Sequence, residues 1–211
     1  MGRTRIKICG LKREADVDAA VLAGADAVGF VLYGKSPRHV PLLRAFALAA
    51  RLPPFVTPVL LFVNATAPEL AAARDVMPQA LWQFHGDETP AQCDAAGQPY
   101  IRAARFEPGF DLLDFAAAYP RAQGLLLDAF VDGYGGGGKA FDWSQIPPSV
   151  PLPLVLSGGL NPANVTDGVT RVRPWAVDVS SGVEASKGIK DAALMRRFCV
   201  AVREADASRN D

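Results

Sequence analysis

Of 211 residues, 50% are hydrophobic and 21% charged, and 22 Lys and Arg balance 22 Asp and Glu. With no basic surplus, a general affinity for nucleic acid or anionic membrane is not expected, and any anion site must be local. Three cysteines far apart (Cys9, Cys93, Cys199), without a CxxC pair, argue against a disulfide framework or zinc site and for a reducing compartment; with no signal-peptide pattern and no apolar run of about 18 residues, a cytoplasmic location is expected.

The first strand is read at "RIKIC" from Arg5, followed by "READVDAAVLAG", a helix with acids in its first turn and Gly24 as a left-handed cap. "AVGFVLY" from Ala27, "TPVLLFV" from Thr57 and "ALWQF" from Ala80 are the next strands. "TPAQCDAAG" then offers Thr89 as N-cap, Pro90 at the first helical position and Gly97 as terminator. "YIRAA" from Tyr100, "QGLLLDA" from Gln123, "LPLVLS" from Leu152 and "WAVDVSS" from Trp175 continue the series. A helix is predicted to begin at Asn161 and Pro162, and "IKDAALMRRFCVAVREA" reads as a final amphipathic helix, with 207–211 as a frayed tail. Strand starts recur about every 24 residues, the size of one βα unit. Eight such units without a linker predict a single (β/α)8 barrel domain over 1–211; the alternative is an open doubly wound sheet.

In a barrel of this kind chemistry sits at the C-terminal ends of the strands. Cys9 and Gly10 end strand one, "GKSPRHV" follows strand two, "QFHGDE" ends strand four and Asp128 ends strand six. Residues two apart share a strand face, so if Cys9 points into the mouth, Lys7 and Arg5 do too. Asp178 is expected inward on strand eight with Ala176 and Ser180. Strands one and eight are neighbours in a closed barrel, so Lys7 and Asp178 form a candidate ion pair beside Cys9, and the ammonium is expected to favour the Cys9 thiolate. Gly158 and Gly159 in "SGGLNP", with Ser180, Ser181 and Gly182 in "SSGVE", form a candidate phosphate site from the loops after strands seven and eight.

Other patterns carry less. Gly133 to Lys139 matches the start of a phosphate-binding GxxxxGK loop, but Ala140 stands where a magnesium-binding Ser or Thr belongs. A loop that closes over the mouth is the better reading. Cys93 and Cys199 are expected to be buried packing residues. His39 and His85 show no metal-site spacing, so no metal is expected, and no GxSxG supports a serine nucleophile. Taken alone, Asp128 could equally cap a loop.

"KICG", "GADAVGFVLYGKSPRHV", "FVN", "QFHGDE", "LLLDA", "YGGGGKAFDW", "VLSGGLNPANV" and "AVDVSSGVE" occur in that order, and together they resemble the phosphoribosylanthranilate isomerase family from Arg5 to the last helix. The resemblance implies an Amadori rearrangement of N-(5-phosphoribosyl)anthranilate in tryptophan biosynthesis, without metal or organic cofactor. It implies Cys9 as general base, Asp128 as general acid, Arg38 on the anthranilate carboxylate, and a phosphate grip at Gly158–Gly159 and Ser181–Gly182. The partner is then a small phosphorylated substrate, and the chain a monomer or homodimer. Gly133 and Gly137 stand where the family often has proline and a hydroxyl residue, and Phe84 where it often has an aliphatic one. Competing readings are a histidine-pathway phosphosugar isomerase, a metal-dependent pentulose-phosphate epimerase, and a barrel that binds phosphorylated ligands without catalysis. An acid and a base both present at strand ends speak against these.

Overall fold

A computed structural model describes residues 2–106, 109–129 and 142–208. Eight parallel strands, β1 (Arg5–Cys9), β2 (Ala27–Val31), β3 (Thr57–Phe62), β4 (Leu81–Phe84), β5 (Tyr100–Phe106), β6 (Leu125–Ala129), β7 (Leu154–Leu156) and β8 (Ala176–Val179), pair in that order, and β8 returns to β1. The barrel read from the sequence is therefore closed. Helices α1 (Glu14–Ala23), α2 (Leu42–Ala49), α3 (Ala67–Val76), α4 (Pro90–Ala95), α5 (Leu112–Ala118) and α6 (Val165–Val172) lie between strands, and α7 (Ala192–Ala207) follows β8. Between β6 and β7 the described residues hold only a 3₁₀ turn at Trp143–Gln145. Pro147 and Pro148 follow at once, and proline cannot donate the bond that would extend it.

Alternation along each strand separates two cores. Ile6, Ile8, Val28, Phe30, Leu60, Phe62, Trp82, Phe84, Val177 and Val179 face outward and are buried against the helices. Phe84 packs there at 6.0 Å from the Phe62 ring and 5.6 Å from that of Tyr100, so its departure from an aliphatic residue is absorbed outside the barrel. The inward residues Ile101, Ala103, Leu126, Val155 and Ala176 plug one level of the interior, and Cys9, Val31, Leu61 and Val63 form another.

The local signals at α1 and α4 hold. Gly24 caps α1 with φ 88°, and Thr89 with Gln92 forms a capping box ahead of Pro90. Two expectations change. α6 begins at Val165, not at Asn161–Pro162, because the Asn161 side chain accepts from the Ala163 amide at 2.8 Å and folds that stretch into a turn. The N-cap position falls to Asn164. Secondly, α7 runs through Ala207 with Ser208 at its cap, so Ala207 belongs to the helix; 209–211 lie outside the described residues. The chain's two ends are tied where Thr4 donates through its amide to Asp206 on α7 at 2.6 Å.

Candidate active site

β1 sets the first half of the site. The register pairs Lys7 with Asp178 across the β1–β8 seam, and Lys7 Nζ donates to Asp178 Oδ1 at 2.8 Å. Both are buried, as is Cys9 one step further along β1, 4% exposed. Ser157 at the end of β7 donates to the other Asp178 oxygen at 3.4 Å. Arg5 shares the strand face of Lys7 but does not reach the mouth. It lies lower, and its guanidinium stacks 3.8 Å from the Trp175 ring, because the packed interior leaves an arginine only the outer rim. Beside Cys9, β2 carries Gly29, where a Cβ would stand 2.6 Å from Cys9 Sγ; the thiol occupies the space a side chain would take.

Burial dominates the titration of Cys9 and pushes its thiol above the ordinary value, with Lys7 and Lys190 pulling the other way. The expected thiolate is thus not the favoured form of the site by itself, because desolvation outweighs the two ammonium groups. Lys7 is itself held above its ordinary value: burial opposes its charge, but Asp178 and Cys9 outweigh it.

A second network underlies Cys9. After β8 the chain makes a 3₁₀ turn at Ser181–Val183 and a small antiparallel hairpin, β9 (Glu184–Ser186) and β10 (Ile189–Lys190). Glu184 accepts from Arg38 Nε at 2.7 Å and Nη2 at 2.9 Å, from Lys190 Nζ at 2.9 Å and from the Gly188 amide at 3.1 Å. Burial works against its charge, yet these donors hold it below the ordinary carboxylate range. Lys190 also donates to the Ser180 carbonyl at 2.9 Å, and Ser180 Oγ donates to the Cys9 carbonyl at 3.0 Å. Arg38 thus stands at the site with one edge of its guanidinium already engaged by a carboxylate of the chain.

The loops after β7 and β8 lie against each other. Gly158 and Gly159 both have positive φ, 77° and 71°, and a Cβ on Gly182 would strike the Leu160 carbonyl at 1.9 Å. Only glycine lets the loop after β8 close on the loop after β7. The helix contribution is smaller than anticipated, since the Ala163 and Val165 amides are taken by Asn161.

Asp128 ends β6, three strands from β1 by way of β7 and β8. It is 9% exposed, and its Oδ2 lies 3.2 Å from His85 Nε2. His85 follows β4 and meets Gln83 through Nδ1 at 3.0 Å. Arg102 holds this loop from behind, donating to the carbonyls of Phe84 and Gly86 at 2.9 Å each. Sequence reading weighed His85 only as a metal ligand and passed over Gln83, Glu184 and Lys190. The Gln-x-His spacing on β4 was the available signal: it puts both on the inward face with Leu81. The segment 133–139 lies outside the described residues.

This geometry places a thiol and a carboxyl at two strand ends of one barrel mouth, with paired glycine loops and an arginine beside them. A family model described as N-(5'-phosphoribosyl)anthranilate isomerase matches residues 6–201. The chain belongs to that family. Isomerases of this name from Methylibium petroleiphilum and Leptothrix cholodnii are 73% and 70% identical to it, over 97% and 99% of this chain and 96% and 95% of theirs. Among solved structures, the phosphoribosyl anthranilate isomerase from Thermotoga maritima superposes with TM-score 0.87 at 39% identity, covering 95% of this chain and 99% of that one. Another isomerase of the family, solved in complex with reduced 1-(o-carboxyphenylamino)-1-deoxyribulose 5-phosphate, gives TM-score 0.84 at 36% identity, with the same coverage. The family's barrel and isomerase activity are those of this chain. No helix of the described residues is long and apolar enough to cross a membrane.

Proposed function

We infer that the chain isomerises N-(5'-phosphoribosyl)anthranilate to 1-(2-carboxyphenylamino)-1-deoxyribulose 5-phosphate, a step of tryptophan biosynthesis, with Cys9 as general base and Asp128 as general acid. The observation that carries this reading is the placement of Cys9 and Asp128 on inward positions of β1 and β6 at one barrel mouth. Asp128 delivers its proton to the furanose oxygen as the C1–O bond breaks, and the electron pair of that bond goes to oxygen. The anilino nitrogen supplies the new C=N bond, which leaves a cation beside Cys9. That cation adds to Lys7 and Lys190 in favouring the thiolate against burial. The thiolate then takes the proton from C2, and the electrons of that C–H bond neutralise the iminium as an enolamine, which tautomerises to the ketose.

Binding follows from the remaining groups. Gly158, Gly159, Ser181 and Gly182 hold the phosphate, and Arg38 holds the anthranilate carboxylate through the part of its guanidinium that Glu184 leaves open. Lys7 and Asp178 line the mouth as a pair and act on Cys9. Fixing both ends of the substrate orients the sugar between acid and base, which supplies about 7–11 kcal/mol in the best-oriented cases. Three unpaired, buried cysteines suit a reducing cytoplasm. The assembly is a monomer or homodimer, which sedimentation distinguishes.

The test is turnover of phosphoribosylanthranilate, followed by loss of substrate fluorescence in the presence of a metal chelator. Cys9→Ala and Asp128→Asn should each reduce kcat by at least about 100-fold while the folded spectrum is kept. Near-wild-type kcat in Cys9→Ala would sink the base assignment.

A further inference from the structure

Gln83 is fully buried inside the barrel, and among the described residues its Oε1 has no hydrogen-bond partner. Its Nε2 lies 3.0 Å from His85 Nδ1, and His85 Nε2 lies 3.2 Å from Asp128 Oδ2. With the amide nitrogen facing Nδ1 it can only donate, so Nδ1 accepts, and in this arrangement the ring proton of a neutral His85 lies on Nε2. That proton points at Oδ2 of Asp128.

We propose that Gln83 is a positioning residue for the isomerase reaction: by donating to His85 Nδ1 it fixes the tautomer that donates to Asp128, and so directs which carboxyl oxygen carries the transferable proton. This rests on the reading of Asp128 as the general acid. With Oδ2 occupied by the Nε2–H donor, the proton of the neutral carboxyl is left on Oδ1, free to pass to the substrate oxygen. As that proton leaves, the charge that develops on Asp128 is met by the same Nε2–H bond, so the acid becomes a better donor without His85 gaining or losing a proton. The opposite tautomer would present a bare Nε2 lone pair to Oδ2. It would draw the Asp128 proton toward Nε2 and away from the substrate oxygen.

The orphaned Oε1 supports a functional role. Leaving a buried acceptor unsatisfied costs about 1–3 kcal/mol, and a leucine or methionine would fill the same inward position without that cost. What the polar end of Gln83 offers at this position is its nitrogen's bond to His85.

The chain has two histidines, His39 and His85, so ¹⁵N imidazole spectra of the full protein report His85 with one other signal to assign. The expected result is an Nε2–H tautomer for His85 in the wild type. Gln83→Met should release it to a mixture, and Gln83→Glu, an acceptor, should place a proton on Nδ1. Both should lower kcat by roughly 10- to 100-fold with KM within about two-fold. A wild-type His85 protonated on Nδ1 overturns the proposal even if neither variant folds. So does a folded Gln83→Met that keeps the wild-type tautomer and kcat. Near-wild-type kcat in Asp128→Asn would instead defeat the reading of Asp128 as the acid, while the spectra would still decide the tautomer.

Discussion

Lys7 and Asp178 meet at 2.8 Å across the seam where the barrel closes, and each removes a buried charge that the other would leave exposed to a low dielectric. Breaking such a pair from one side is costly, whereas replacing both members by apolar groups need not be. Lys7→Met should therefore destabilise the fold by about 3–5 kcal/mol, and Lys7→Met/Asp178→Leu should recover much of that loss. Urea unfolding of the two variants decides it; a single variant as stable as the wild type would show that the pair is not desolvated as described.

Alkaline pH should weaken the fold. Burial raises the thiols of Cys9, Cys199 and Cys93, the last two to about 11 and about 12, from an ordinary 9.0. A group raised in the folded state is protonated in both states below its unfolded value, so its stabilisation is intact there. It is lost as pH rises from that value through the folded one. Lys7 acts in the same direction from 10.5 upward, while Lys190, lowered mainly by burial, acts in the opposite one. The urea midpoint should be flat up to about pH 9 and fall above it, and Cys9→Ala should reduce the slope. A midpoint that rises between pH 9 and 11 would contradict the burial of the thiols.

Gly29 makes room for Cys9. Because a methyl group there would lie 2.6 Å from the sulfur, Gly29→Ala must move the thiol or spread the β1–β2 pair. A displacement near 1 Å costs about 100-fold in a positioned reaction, so kcat should fall by that order, with only a modest drop in melting temperature. Unchanged turnover would mean that the position of Cys9 Sγ does not matter to the chemistry.

Glu184 fixes one edge of the Arg38 guanidinium through Nε and Nη2. Glu184→Gln keeps the shape but turns a charge that four donors share into an amide. Arg38 and Lys190 are then left without their counter-charge, and the side chain of Arg38 loses its fixed edge. KM for phosphoribosylanthranilate should rise by roughly 10-fold with a smaller effect on kcat, read from steady-state kinetics. A change confined to kcat would indicate that Glu184 acts through Cys9 instead.

The barrel was legible because its signals are local and repeated. Each strand carries its own alternation, each turn its own cap, and the Lys7–Asp178 contact follows from alternation once the barrel closes. What escaped depends on groups brought together by the fold. Glu184 and Lys190 sit on a hairpin too short to announce itself by pattern, and their partner Arg38 lies 146 positions away from Glu184. Gln83 on the inward face of β4 and His85 just after it were visible, but the contact of His85 with Asp128 on β6 exists only in the fold. The start of α6 was misplaced because asparagine side chains there imitate the backbone bonds that begin a helix.

The ion pair at the seam also has a consequence in time. Lys7 and Asp178 are 171 residues apart, so during synthesis the strand bearing Lys7 and Cys9 leaves the ribosome well before its counter-charge. Without β8, β1 is a sheet edge and Lys7 lacks its partner. The strand that seals the wall thus also supplies the counter-charge of the first, and the hairpin that follows it adds Glu184 and Lys190.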